Sequence, residues 1–190
     1  MADEVEGQVK HEKLDPEREA RRRVALAQIR QYGDPVLKMR ANEVETFDGD
    51  LERLVERMTA LMQDANGVGL AANQVGVLRR VLVMQPDEGE PMVLVNPVIR
   101  KASDEVAADD EGCLSLQGVT VPVERRCRVT IEGKDEHGET VSYELEGLAA
   151  RVAQHELDHL DGVLILERTT DDARRAALAV LRPRLTIAPS

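Results

Sequence analysis

The chain has 190 residues, 42% of them hydrophobic and only 2% aromatic, with a formal net charge of −11. That length suits one domain, whose core Leu, Val, Ile, Met and Ala must build, and no apolar run approaches the roughly 20 residues that span a bilayer. So acidic a surface repels nucleic acid and anionic membrane, so neither is expected as a direct ligand.

Residues 1–13 are polar and aperiodic and read as a mobile N-terminal extension. Their acids, Asp3, Glu4 and Glu6, fit neither a signal peptide nor a transit peptide, so a cytoplasmic location is expected. Asp15-Pro16 then predicts a helix start, with Glu17 through Ile29 in the helix and Gly33 ending it. The run Arg21-Arg22-Arg23 is balanced by nearby acids and reads as a solvated helix face. Leu51, Leu54, Val55, Met58, Leu61 and Met62 recur at helical spacing behind Asp50 as the expected cap, and Asn66-Gly67 closes that helix.

From Arg79 to about Glu146 the texture changes to short β-rich runs. Val81–Val83, Met92–Val95, Val119–Val123, Val129–Ile131 and Val141–Leu145 are separated by turn signals such as Asp87-Glu88-Gly89 and Glu136-His137-Gly138. Helical pattern returns around Leu148–Leu160, and a last helix over Asp171–Leu181 stops before Pro183. Helix, strands, helix is the order of an α+β fold, not of alternating βαβ units. We expect residues 14–190 to form one domain.

The chemistry concentrates in His155-Glu156-Leu157-Asp158-His159, a His-Glu-x-x-His pattern. Residues four apart share a helix face, so both imidazoles can reach one metal ion, and Glu156 can approach a water on it. Val152, Ala153, Leu157 and Leu160 flank the pattern with apolar residues. Burying so many ionisable groups costs several kcal/mol unless a metal or other partners satisfy them. Two of the four histidines in the chain fall in this pentapeptide. A catalytic ion of this type takes three protein ligands and keeps one position for water. His11 and His137 lie in an expected tail and turn. Cys113, in Glu111-Gly112-Cys113-Leu114-Ser115, offers a soft thiolate beside a glycine that permits close backbone approach. Cys127 reads as an ordinary structural thiol in an alternating strand. A third string, Gly67-Val68-Gly69-Leu70-Ala71-Ala72-Asn73-Gln74, follows a helix and lacks the endings of nucleotide loops. Its small residues suit a close-packed wall from which Gln74 could donate a hydrogen bond, or simply a tight loop.

Together these three strings resemble the three signature motifs of peptide deformylase, in the family's order. The resemblance extends from Ile29-Arg30-Gln31-Tyr32-Gly33-Asp34-Pro35-Val36-Leu37 to Gly162-Val163-Leu164, roughly residues 28 to 168. It implies antiparallel β-sheets packed around a central helix that carries the His-Glu-x-x-His motif, with a C-terminal helix. It implies hydrolysis of the N-formyl group of initiator methionine, on N-formylmethionyl nascent chains, with the ribosome as the place of encounter. It makes Cys113, His155 and His159 the metal ligands, with Fe(II) as the ion commonly used and zinc or nickel also bound. Glu156 becomes the general acid/base, and the Gln74 amide and Leu114 N–H the oxyanion donors. Val68, Gly69 and Gly112 would line a strand-like substrate groove. Two departures bear on the groove's shape: Gln117-Gly118 stands where members often have proline, and Thr120 where some carry arginine.

Two other readings of the same residues remain at this point. A zinc peptidase would use the helix with a different third ligand. A metal-stapled binding module would need a fourth protein ligand to close the site.

Overall fold

The computed structural model describes residues 4–11 and 14–181. The residues beyond Leu181, including Pro183, lie outside that description. Nine strands and four α-helices are present among the described residues, and every strand pairing is antiparallel. No helix there is long and apolar enough to cross a membrane.

The chain enters through a small hairpin, β1 (Glu4–Glu6) and β2 (Val9–His11). Within residues 4–11 two short strands therefore stand where an aperiodic segment was expected. The connection is two residues, Gly7 and Gln8, with Gly7 at φ +60°, a conformation that a tight hairpin asks of glycine. Polar strand residues carry little hydrophobic signal. The two strands pair with each other, and backbone groups of the molecule's body, described below, hold the hairpin in place.

Helix α1 (Pro16–Leu26) is capped by Asp15, whose carboxylate accepts from the Arg18 N–H at 2.9 Å. It stops short of Ile29, because the Arg30 N–H is taken by the Gln74 carbonyl at 2.7 Å instead of continuing the helix. Arg21 and Arg23 lie exposed on α1, in keeping with a solvated face. Helix α2 (Gly49–Asp64) buries Leu51, Val55, Met58, Leu61 and Met62 on one face, each contributing about 1.5–3 kcal/mol of apolar burial. Its cap is Asp48, not Asp50: the Asp48 carboxylate accepts from the N–H groups of Asp50 and Leu51, which places Gly49 inside the first turn.

The main sheet has the order β3-β4-β5-β8-β9, formed by Gly69–Ala71, Val81–Met84, Met92–Ala102, Arg128–Lys134 and Thr140–Glu146. Strand β4 is buried at all four positions, as a central apolar run should be. A separate ribbon pairs β6 (Val106–Cys113) with β7 (Leu116–Arg126). Along β7 the inward positions Val119, Val121, Val123 and Arg125 alternate with exposed ones, the period of a pleated strand with one solvated face. Strand β6 carries no β-rich run; its first five residues are exposed and two are aspartates. The sheet and ribbon flank helix α3 (Gly147–Leu160), whose Ala150, Val152, Ala153 and Leu160 are buried. Helix α4 (Asp171–Leu181) packs against β7.

Candidate metal centre and substrate groove

Three elements converge on one buried point. The end of β6 supplies Cys113, α3 supplies His155, Glu156 and His159, and the short 3-10 turn after β3 supplies Gln74. Cys113, His155 and His159 each offer a ligand atom, and those atoms all lie within 4.8 Å of one another. Cys113 Sγ is 3.3 Å from His159 Nε2, and the two imidazole centroids are 5.0 Å apart. Among the described residues nothing satisfies His155 Nε2, His159 Nδ1 or the Glu156 Oε2 oxygen, although all are buried. Buried donors and acceptors without partners are costly, and a soft thiolate with two imidazoles is a donor set for a divalent transition metal. The residues fit such an ion, and Cys127 stands apart from them, at the bend between β7 and β8.

Electrostatics point the same way. Burial works against a charge on His155, yet Cys113 and Glu111 beside it prevail and push its pKa up to about 10. Burial, and next the positive His155, hold His159 well below the ordinary histidine value. Burial pushes the Glu156 carboxyl up to about 7, against the opposing pull of His155. Glu156 sits where it does because Gly69 has no side chain: a Cβ there would lie 2.2 Å from Glu156 Oε1.

Beneath the centre is a set of charges that the sequence reading left without a role. The Glu111 carboxylate accepts from His155 Nδ1 at 2.9 Å, from Arg125 Nε and Nη2 at 2.9 and 3.0 Å, and from Arg151 Nη1 at 2.9 Å. Arg125 also donates to Asp158 at 2.5 Å, and Asp158 receives Arg168 at 2.6 and 3.0 Å. Burial opposes ionisation of Glu111, but its contacts with His155 and Arg125 hold it far below the usual carboxylate range. Glu111 thus fixes the His155 ring so that Nε2 is the nitrogen left for a ligand role. A signal was present in the sequence: Arg151 and His155 lie one turn apart on α3, which carries three further ionisable residues, Glu156, Asp158 and His159.

The groove lies between Gly67–Val68 on one side and Gly112 on the other, and residues 7–10 occupy it. Val68 N–H donates to the Gln8 carbonyl at 3.0 Å, and Gln8 N–H donates to the Gly112 carbonyl at 3.2 Å. The Gln8 side chain is wholly buried. Its Oε1 accepts from Leu114 N–H at 3.0 Å and from Gln74 Nε2 at 3.2 Å. Its Nε2 donates to Glu156 Oε1 at 2.6 Å and to Gln74 Oε1 at 2.9 Å. The Leu114 and Gln74 donors therefore converge on one amide oxygen beside the Cys113, His155 and His159 cluster. No sequence pattern marked Gln8. Ser115 holds Gln74 in place by accepting from its Nε2 at 3.1 Å, and Asn73 donates to the His159 carbonyl. A cavity of about 300 Å³, lined by Val9, Leu26, Gly112, Leu114, Gln117 and Thr120 among others, opens beside the groove.

The family model for polypeptide deformylase matches residues 26–175. The chain belongs to the peptide deformylase family. Peptide deformylase 1 of Corynebacterium glutamicum is 44% identical over 162 residues, which is 84% of this chain and 96% of that protein. The peptide deformylase of Thermotoga neapolitana is 46% identical over 160 residues, 84% of this chain and 94% of that one. Among solved structures, the Thermotoga maritima peptide deformylase superposes with a TM-score of 0.73 at 46% identity, covering 75% of this chain and 96% of its own. That of Legionella pneumophila gives 0.77 at 38%, covering 80% and 91%. The family consists of metal-dependent hydrolases that remove the N-formyl group from new polypeptides. The α+β fold expected from the sequence is the fold of these neighbours.

Proposed function

We propose that residues 14–190 form one catalytic domain that deformylates N-formylmethionyl nascent chains in the cytoplasm, at the ribosome. In this reading Cys113, His155 and His159 hold one divalent ion, Fe(II) in preference to zinc or nickel. The observation that carries it is the convergence of this three-donor cluster, Glu156 and the Leu114 and Gln74 donors on a single buried point. Among the described residues the cluster has three members, which suits a catalytic centre with one open position rather than a closed structural site.

When bound, the ion supplies a water whose pKa is lowered to about 7 and polarises the carbonyl it faces. Glu156 accepts a proton from the attacking water and returns it to the departing amine nitrogen. Burial, which raises the Glu156 carboxyl above the ordinary value, favours its taking up a proton. Leu114 N–H and Gln74 Nε2 stabilise negative charge on the formyl oxygen, each donor worth about 3 kcal/mol in comparable sites. Val68, Gly69 and Gly112 bind the substrate as an added strand, Val68 and Gly112 through their backbone groups. Formate and a free amino terminus leave.

Formate release from a formyl-methionyl peptide by anaerobically iron-loaded protein, compared with acetyl- and unblocked methionyl peptides, tests this. We expect turnover of the formyl peptide alone. Equal rates on formyl and acetyl peptides, or cleavage inside the unblocked one, would overturn it in favour of a peptidase. Metal analysis of His155→Ala and His159→Ala tests the ligands: each variant should fail to retain the ion.

A further inference from the structure

The segment Gly7–Lys10 lies outside the residues matched by the family model, yet it fills the groove in which that family's substrate is proposed to lie. It binds there as a strand is expected to bind. Gly7 bridges Gly112 in parallel, Val9 bridges Gly67 in antiparallel, and Lys10 N–H donates to the Asn66 carbonyl at 3.2 Å. The Asn66 side chain returns a bond to the Lys10 carbonyl at 3.2 Å, and Val9 packs against the neighbouring core. Gly7 is required for this seating: a Cβ there would lie 2.7 Å from the Gly112 oxygen. Burying a carboxamide is costly unless every polar atom finds a partner. The Gln8 carboxamide finds them all in the centre, with its oxygen on the Leu114 and Gln74 donors and its nitrogen on Glu156.

We propose that this segment is an internal pseudosubstrate: Gln8 presents an amide to the catalytic groups and holds the groove shut until a peptide displaces it. The inference rests on the proposed function. The Gln8 carboxamide is not the reacting bond. Its carbon carries a methylene where a formyl group carries hydrogen, so it copies the polar contacts of the substrate without its small acyl end. Being tethered, it competes at an effective concentration in the millimolar range typical of short flexible links. A strap closed about nine-tenths of the time lowers apparent substrate affinity about tenfold. Saturating substrate expels it, so the effect falls on KM more than on kcat.

Two full-length variants test this with a formyl-methionyl tripeptide. Gln8→Ala removes the amide, and Gly7→Val drives a side chain into Gly112. Each should lower KM about tenfold, with kcat moving much less. Backbone hydrogen exchange gives a second readout that needs no turnover. In the wild-type chain the N–H groups of Gln8, Lys10 and Val68 should be protected, and saturation with the unformylated methionyl tripeptide should abolish protection of Gln8 and Lys10. Unchanged KM in both variants, or exchange at Gln8 as fast as in an open chain, would overturn the proposal. So would conversion of Gln8 to Glu in the metal-loaded enzyme, read by mass spectrometry, since the strap would then be a substrate. If no form releases formate, the proposed function fails, and hydrogen exchange still decides the strap.

Discussion

Two groups of buried polar side chains meet on helix α3, and their electrostatic character is opposite. In the network of Glu111, Arg125, Arg151, Asp158 and Arg168 each charge faces an opposite charge within hydrogen-bond reach. In the centre above it, His155 Nε2, His159 Nδ1 and Glu156 Oε2 have no hydrogen-bond partner among the described residues. Both groups are costly to bury, and only the first is compensated from within the chain. The difference separates scaffold from function: compensated charges set the geometry, and uncompensated ones await a ligand. His155 belongs to both, with Nδ1 fixed by Glu111 and Nε2 free for a metal.

The sharpest way to probe this contrast is to change one group in each set while keeping its size. Glu156→Gln should cost the largest factor in rate, about a hundred- to ten-thousand-fold, because the amide cannot accept and return a proton. Metal content and melting temperature should stay close to wild type, since Glu156 is not placed as a ligand. Formate release and metal analysis on one preparation check this, and near-normal turnover in a loaded variant would remove Glu156 from the acid/base role.

Glu111→Gln should behave in the reverse manner, with stability the main loss. It leaves Arg125 and Arg151 facing each other around a neutral amide, and breaking a buried charge set costs about 3–5 kcal/mol. It also loosens the His155 ring, for which metal affinity should fall about ten- to a hundredfold. Denaturant unfolding and competition with a chelator measure the two effects separately. A variant as stable as wild type with intact metal affinity would show that the network is not the support argued here.

How much of this was legible in the sequence follows the same division. The stripe of α2 and the alternation of β7 could be read because each buries one apolar face at a fixed period, and β4 because it is a short, wholly apolar run. The residues now gathered at the centre could be named because motif spacing carries chemistry along one helix face. Strand β6 was missed because its first five residues are exposed and hold no β-rich run, and its pairing with β7 is carried by backbone groups. The salt-bridge network was missed for a related reason. Glu111 and Arg125 lie on neighbouring strands, and only the fold brings them to Arg151 and Asp158. Gln8 was furthest from view, since one glutamine in a polar segment announces neither a strand nor a site.

A milder change samples the rim of the network. Arg168 is half exposed and pairs with Asp158, which Arg125 also holds from the buried side. Removing it as Arg168→Ala should cost no more than about 1 kcal/mol, the usual range for a solvent-accessible ion pair. A loss as large as that of Glu111→Gln would mean that the network depends on its exposed end.

The smallest effect is expected at the second cysteine, and that is what makes it informative. Cys127 lies between β7 and β8, partly exposed, and its fixed contacts are made by its backbone. Its N–H donates to the Glu105 carbonyl at 3.0 Å, and its own carbonyl accepts from Gly147 N–H at 3.1 Å. Both bonds survive any side-chain exchange, so Cys127→Ser should change stability by about 0.5 kcal/mol or less, with formate release and metal content unaltered. Cys113→Ser replaces a soft thiolate with a poorer ligand in a fully buried cluster, and should lose most of its metal and activity. Measured side by side, the pair controls for the chemistry of the exchange, which is the same atom for atom at both sites. If the two variants lose metal alike, the effect belongs to thiols in general, and Cys113 is not the third ligand.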